Sequence, residues 1–269
     1  MESLLSLSFD NLSSREHGRI RKGIRQIDGL LAQICLPSTL LSPDDSGGAG
    51  DEAREKTKPL ASLKKDAAFR DFFRIQEGFR WNVATRLIWT LERLLGVQAS
   101  PSSDALLLTL LSTLQGLLLL HPPSRILFAT EDTMNLLLDL LDPKANPPTV
   151  LSQALLVLVT ALLDNPANTR VFEAVDGLLT VTSLLKSKST TQEVKMRALE
   201  VMYFYLMPEK PPARPKQDET DEGDSGARQN TKSTAQKQRL LGRHLNNVAE
   251  LVRDLQENAV FGTAMPAGS

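Results

Sequence analysis

Three histidines, one cysteine and a few adjacent carboxylates are the residues of this 269-residue chain best suited to chemistry, and their spacing gives them little to do. His17, His121 and His244 each stand alone, with no second ligand at helical spacing, whereas a zinc site draws on three or four convergent donors. Cys35 lies in "AQICLPSTLL", with no histidine before it and no arginine-bearing glycine loop after it. Nothing there would lower a thiol pKa enough to make a nucleophile. Glu131-Asp132 and Asp44-Asp45 read as helix N-terminal or loop charges rather than an acid/base pair. The glycines cluster in "SGGAG" (46–50) and otherwise stand singly, so neither a phosphate cradle nor a G-x-S-x-G elbow is present. The expectation is a protein that is not an enzyme, with no metal and no cofactor.

What remains is binding. Aromatic residues make up 5% of the chain, yet Phe69, Phe72, Phe73, Phe79 and Trp81 crowd into thirteen positions, interleaved with Arg70, Arg74 and Arg80. Such rings are either the first layer of a core or the anchors of an interface, where Trp, Phe and Arg are favoured. Val83, Ala84, Leu87, Ile88, Leu91, Leu94 and Leu95 form the core stripe of the next helix. Phe69, Phe73, Phe79 and Trp89 are assigned to the core. Arg74, Arg80 and Trp81 are assigned to a partner surface, because arginines flank a tryptophan off that stripe. A second candidate surface is Asn246, Asn247 and Arg253 near the C-terminus. Ser42-Pro43 and Ser100-Pro101 are candidate proline-directed phosphorylation sites, where phosphate would add nearly two negative charges.

These residues need a scaffold, and the composition points to an all-α one. Leucine dominates, while β-branched and aromatic residues are few. The 31 basic and 32 acidic residues nearly cancel, so no global field points to nucleic acid or an anionic membrane. The one basic run, "GRIRKGIR" (18–25), alternates with Ile20, Ile24 and Ile27 and reads as the solvated side of a docked helix. The uncharged stretches 105–120 and 145–163 are shorter than the roughly 20 residues a spanning helix needs, so they are expected in a helical core. One cysteine excludes an intrachain disulfide and suits a reducing, cytoplasmic setting. The N-terminus lacks a convincing secretory pattern. Segments 37–66 and 208–236 are too poor in apolar residues to offset ordering entropy and are expected to be disordered. They separate an N-terminal helical segment 1–36, a middle block 67–207 and a C-terminal helix 237–262.

The middle block repeats itself. Residues 121–163 align with 165–207 at an offset of 44 without a gap, placing Pro122 on Pro166, Phe128 on Phe172, Val150 on Val194 and Leu158 on Met202. A further step back reaches Leu106, Leu110, Leu114 and Leu118. A period near 44 with helical spacing inside it marks armadillo or HEAT units, each unable to bury its own apolar face alone. The expected fold is an armadillo/HEAT-like helical solenoid of about three repeats with flanking N- and C-terminal helices. The third helices, "VLSQALLVLVTALL" and "EVKMRALEVMYFYLM", carry no asparagine ladder of the kind that armadillo solenoids use to clamp extended peptides. Folded partners are therefore expected.

"FFRIQEGFRWNVATRLIWTLERLLG" (72–96) and "HLNNVAELVRDLQENAVFGT" (244–263) resemble the fungal cell division control protein 14 family of the septation initiation network, distinct from the phosphatase of the same name. The resemblance extends over essentially all the ordered chain and is most specific in 72–96. It implies a non-catalytic partner of a germinal-centre-type protein kinase, acting late in mitosis at the spindle pole body to promote septum formation and cytokinesis. It carries over no binding residues. The alternative from the pattern alone is a general solenoid scaffold in trafficking or nuclear transport.

Overall fold

The computed structural model describes residues 1–35, 60–96, 100–209 and 231–248, together with Glu250 and Arg253. Among the described residues every regular element is a helix. In chain order these are α1 (Glu2–Leu12), α2 (His17–Cys35), α3 (Leu60–Leu63), α4 (Ala67–Gln76), a 3-10 turn (Phe79–Trp81), α5 (Val83–Leu95) and α6 (Pro101–Leu120). A second 3-10 segment (Pro122–Phe128) leads to α7 (Glu131–Asp139), α8 (Pro148–Leu162), α9 (Pro166–Ala174), α10 (Gly177–Lys186), α11 (Gln192–Leu206) and α12 (Thr234–Leu241).

The core is a row of helices. α2 packs on α6, α6 on α8, α8 on α11 and α11 on α12. α1 crosses α2 at Gly23, where a Cβ would come within 2.8 Å of the Ser8 carbonyl oxygen. The isoleucine stripe of α2 is buried beneath that crossing. Arg93 of α5 ties the end of α1 in place by donating to the carbonyls of Leu12 and Ser13, where the helix dipole favours a cation.

α6 runs farther than its apolar stretch suggested. Ser100 caps it in a capping box with Ser103, and Pro101 occupies its first turn. Its segment 102–120 is thereby long and apolar enough to cross a membrane by length and composition. Here Leu106, Leu107, Leu110, Leu111, Leu114, Leu117 and Leu118 are buried, in a helix packed on α2, α5 and α8. Buried hydroxyls within these helices, such as those of Thr90, Thr113 and Thr160, donate to the carbonyl four residues back, which removes the penalty of burying them.

α8 and α11 begin and end 44 residues apart at both limits. The equivalent pairs Phe128 and Phe172, Val150 and Val194, and Leu158 and Met202 are all buried. Asn168 joins the two stretches: its Nδ2 donates to the carbonyls of Arg125 at 2.7 Å and Ala161 at 2.6 Å.

Two segment limits differ from expectation. The segment 37–66 ends in a helical turn, α3, whose Leu63 is buried, and in Asp66, which caps α4 through Phe69 N. The segment 208–236 ends in ordered residues, with Ser233 and Gln236 forming the capping box of α12. Caps and ionic contacts order these polar residues without a long apolar stripe. The C-terminal helix expected over 237–262 begins earlier and is interrupted: α12 runs from Thr234 to Leu241, and a turn through Gly242 follows before the buried Val248. Residues 36–59 and 210–230, and the chain beyond Arg253, lie outside the described residues.

Candidate partner-binding surface

The corner between α4 and α5 is built by two amides. Gln76, fully buried at the end of α4, accepts from Val83 N at 2.8 Å and donates to the Trp81 carbonyl at 3.0 Å. Asn82 caps α5 by accepting from Thr85 N at 2.9 Å. Its Nδ2 donates to the Gln76 carbonyl at 2.7 Å and to Ser124 Oγ at 3.2 Å. Ser124 also bonds His121 Nδ1 at 2.8 Å, and the His121 ring takes the edge of Phe73 at 4.4 Å between centroids. Burial pulls the His121 pKa below its ordinary value, and Glu77 opposes this only in part. A chain reversal in which the Gln76 and Asn82 amides are committed in this way is held rigidly.

That corner presents a continuous ladder of rings and guanidinium groups. Phe79 meets Trp89 in a T-shaped pair at 5.9 Å. Arg86 lies 4.9 Å over Trp89 and 5.2 Å over Phe9. Phe9 contacts Trp81 at 6.2 Å, and Arg80 lies 4.9 Å over Trp81. Phe79 is 70% exposed and Trp89 42% exposed. Ser6 and Asp10 of α1 face Arg80, Arg86 and Trp81 across a shallow hollow. Neither Arg80 nor Arg86 makes an ion pair among the described residues. Arg86 Nε is buried with no hydrogen-bond partner.

This reverses part of the sequence assignment. Phe79 and Trp89, expected in the core, are the most exposed rings of the ladder, while Trp81 is half-buried against Phe9. Phe79 lies in the 3-10 turn, outside the faces of both helices, and Trp89 lies in α5 off the buried stripe of Leu87, Ile88, Leu91 and Leu94. Phe69 is buried as expected, and Phe73 is half-buried. Arg80 and Trp81 come together, but Arg74 does not join them. It lines a separate groove with Phe69 and Phe73, in an exposed 3.4 Å ion pair with Asp71. Asn246 and Asn247 are exposed in the turn after α12, and Arg253 is exposed beyond it, at the end of the row where α12 packs on α11. Ser100 is half-buried as the cap of α6, and Ser42 lies outside the described residues.

Phe9 and Arg86 were missed. Phe9 comes from another element, which no local spacing reveals. Arg86 was legible in principle, since it lies one turn before Trp89 and can stack on it.

No group of three or more His, Cys, Asp or Glu among the described residues could hold a metal ion. The ladder presents apolar area, ring faces that carry cations and the exposed guanidinium of Arg80 beside the half-buried one of Arg86.

A family model described as "Cell division control protein 14, SIN component" matches residues 1–261. Cell division control protein 14 of Schizosaccharomyces pombe is 28% identical over 270 residues, covering 97% of this chain and 97% of that relative. No solved structure matches.

Proposed function

The chain belongs to the cell division control protein 14 family of septation initiation network components, and from that premise we propose that it is a non-catalytic adaptor of a germinal-centre-type protein kinase. It holds the kinase by burying the ring–guanidinium ladder against it, and so promotes septum formation and cytokinesis. We also read the helices from α5 to α11 as armadillo-type units flanked by terminal helices, a reading supported by the coincident limits of α8 and α11. The adaptor works in the cytoplasm and is recruited to the spindle pole body late in mitosis.

The observation that carries this reading is the exposure of Phe79 and Trp89 within residues 72–96, the stretch with the most specific resemblance. A protein does not gain stability by holding two large rings at its surface, and a central aromatic anchor typically contributes about 2 kcal/mol or more to binding. The test is affinity purification from mitotic cells with the native chain and an Arg80→Glu, Trp89→Ala variant. The native chain recovers a germinal-centre kinase and the folded variant does not. Equal recovery with both would move the kinase interface elsewhere, and no kinase with either would remove the adaptor reading.

A further inference from the structure

The groove that takes Arg74 is distinct from the ladder. It runs between α4 and the C-terminal end of α6, with a volume of about 670 Å³. Phe69, Phe73, Leu119, Leu120 and the Pro122-Pro123 pair form its apolar floor. Leu119 is 47% exposed there, although its neighbours Leu117 and Leu118 are buried. The floor is preorganised: Phe73 rests on the His121 ring, two prolines restrict the backbone beside it, and the amide corner holds the far end of α4. A rigid apolar floor lowers the ordering cost of binding.

The rim selects by charge. Lys64, Arg70 and Arg74 line it against one carboxylate, Glu77. Asp71 holds Arg74 only through a pair exposed on both sides, which is worth little and exchanges readily for another carboxylate. α4 has ten residues, so the groove is about 15 Å long, the length of about three helical turns.

We infer that this groove docks a short amphipathic helix of a partner protein, with an apolar face flanked by Asp or Glu. The apolar face seats on Phe69, Phe73 and Leu119, and the flanking carboxylates meet Lys64, Arg70 and Arg74. The inference does not depend on which partner the ladder holds, and both surfaces can be occupied at once.

The probe is a labelled fourteen-residue helical peptide with one leucine face and glutamate flanks, beside the same peptide with lysine flanks. Fluorescence anisotropy against the full chain should show saturable binding of the glutamate peptide, with the lysine peptide at least about tenfold weaker. Leu119→Glu replaces an exposed side chain and should weaken the glutamate peptide at least about tenfold. An Arg70→Glu, Arg74→Glu variant should reverse the preference between the peptides. Phe79→Ala, on the ladder, should change neither. Equal binding of both peptides, or no loss with Leu119→Glu in a chain with native helicity, would overturn the inference. Displacement of the probe by a synthetic peptide of residues 37–59 would seat the chain's own segment there and overturn the assignment to a partner.

Discussion

Two groups of cations, one near each end of the helix row, are held differently. Near α12, Arg170 bonds Glu209 at 2.6 Å and Glu173 at 3.1 Å, and Lys232 bonds Glu173. Lys237 meets Glu209 at 3.2 Å and also donates to the carbonyls of Tyr205 and Met207. Tyr205 donates to Glu173 at 2.8 Å, and its pKa is pushed far above the usual phenol value, first by burial and then by that carboxylate. Near α1 and α5, Arg80 and Arg86 rest on rings. The contrast separates structure from recognition. A buried cation met by carboxylates and carbonyls is a tie, because removing either partner strands a charge. A cation on a ring face keeps its hydrogen-bonding capacity for an acid from outside.

The largest expected effect is at the tie. Glu209 bonds Arg170, Lys237 and the Lys232 backbone N–H, so Glu209→Ala leaves the buried Lys237 and the half-buried Arg170 undercompensated. It should destabilise the chain by about 3–5 kcal/mol and release α12 from α11. Chemical denaturation with hydrogen exchange on α12 measures both. A loss below about 1 kcal/mol would place the cluster among surface pairs and break the contrast.

At the other end the same class of change should spare the fold. Trp89→Ala or Arg86→Ala should cost the proposed kinase complex about 2 kcal/mol, roughly thirtyfold in affinity, with stability changed by no more than about 1 kcal/mol. A stability loss of about 3–5 kcal/mol would reclassify Trp89 as core. Titration calorimetry and denaturation on the same purified variants separate the two outcomes.

The two ends also differ in how far the sequence reveals them. Repetition made the middle legible: the limits of α8 and α11 keep the offset of 44, and Leu158 and Met202, paired by that offset, are both buried. The ladder was half legible, because Arg80 and Trp81 are neighbours while Phe9 reaches them only through the α1–α5 contact. The ionic cluster was not legible at all. Glu173, Glu209 and Lys237 lie far apart in the chain, Glu209 stands in the stretch 208–236 that composition assigns to solvent, and Lys237 opens the expected C-terminal helix ahead of its apolar stripe. Its burial follows from satisfied hydrogen bonds rather than hydropathy.

Ser100 sharpens the contrast at a smaller scale. Its Oγ accepts from Ser103 N and its own N–H donates to Ser103 Oγ, so Ser100→Ala should cost about 1 kcal/mol through loss of the cap. Ser100→Asp keeps an acceptor and adds a charge that the helix N-terminus favours, so it should be nearly neutral in stability. If both substitutions alter septation timing equally while only Ala lowers the melting temperature, a phosphorylation role separates from capping. If timing follows stability, Ser100 acts as a cap alone.

The smallest effect is a difference in acid response between the two ends. His121 is buried beside Phe73, with Nδ1 on Ser124 and Nε2 without a partner. Its folded pKa lies below the ordinary value of 6.5, with burial the main cause. Below pH 6.5 the unfolded chain therefore binds the proton that the folded chain resists. The stability that the neutral ring contributes is present above 6.5 and is lost as the pH falls through the folded pKa. The slope is at most about 1.4 kcal/mol per pH unit. Denaturation midpoints from pH 7.5 to 5.5 should fall in the native chain and stay flatter in His121→Asn, which keeps an amide near Ser124 without titrating. Because Asn82 and Gln76 share that network, local exchange should rise first at the α4–α5 corner, with the α12 cluster still protected. Parallel pH profiles for the two proteins would remove His121 as the acid-sensitive group. Exchange rising first at α12 would show that the compensated end, and not the ring-lined one, is the weaker of the two.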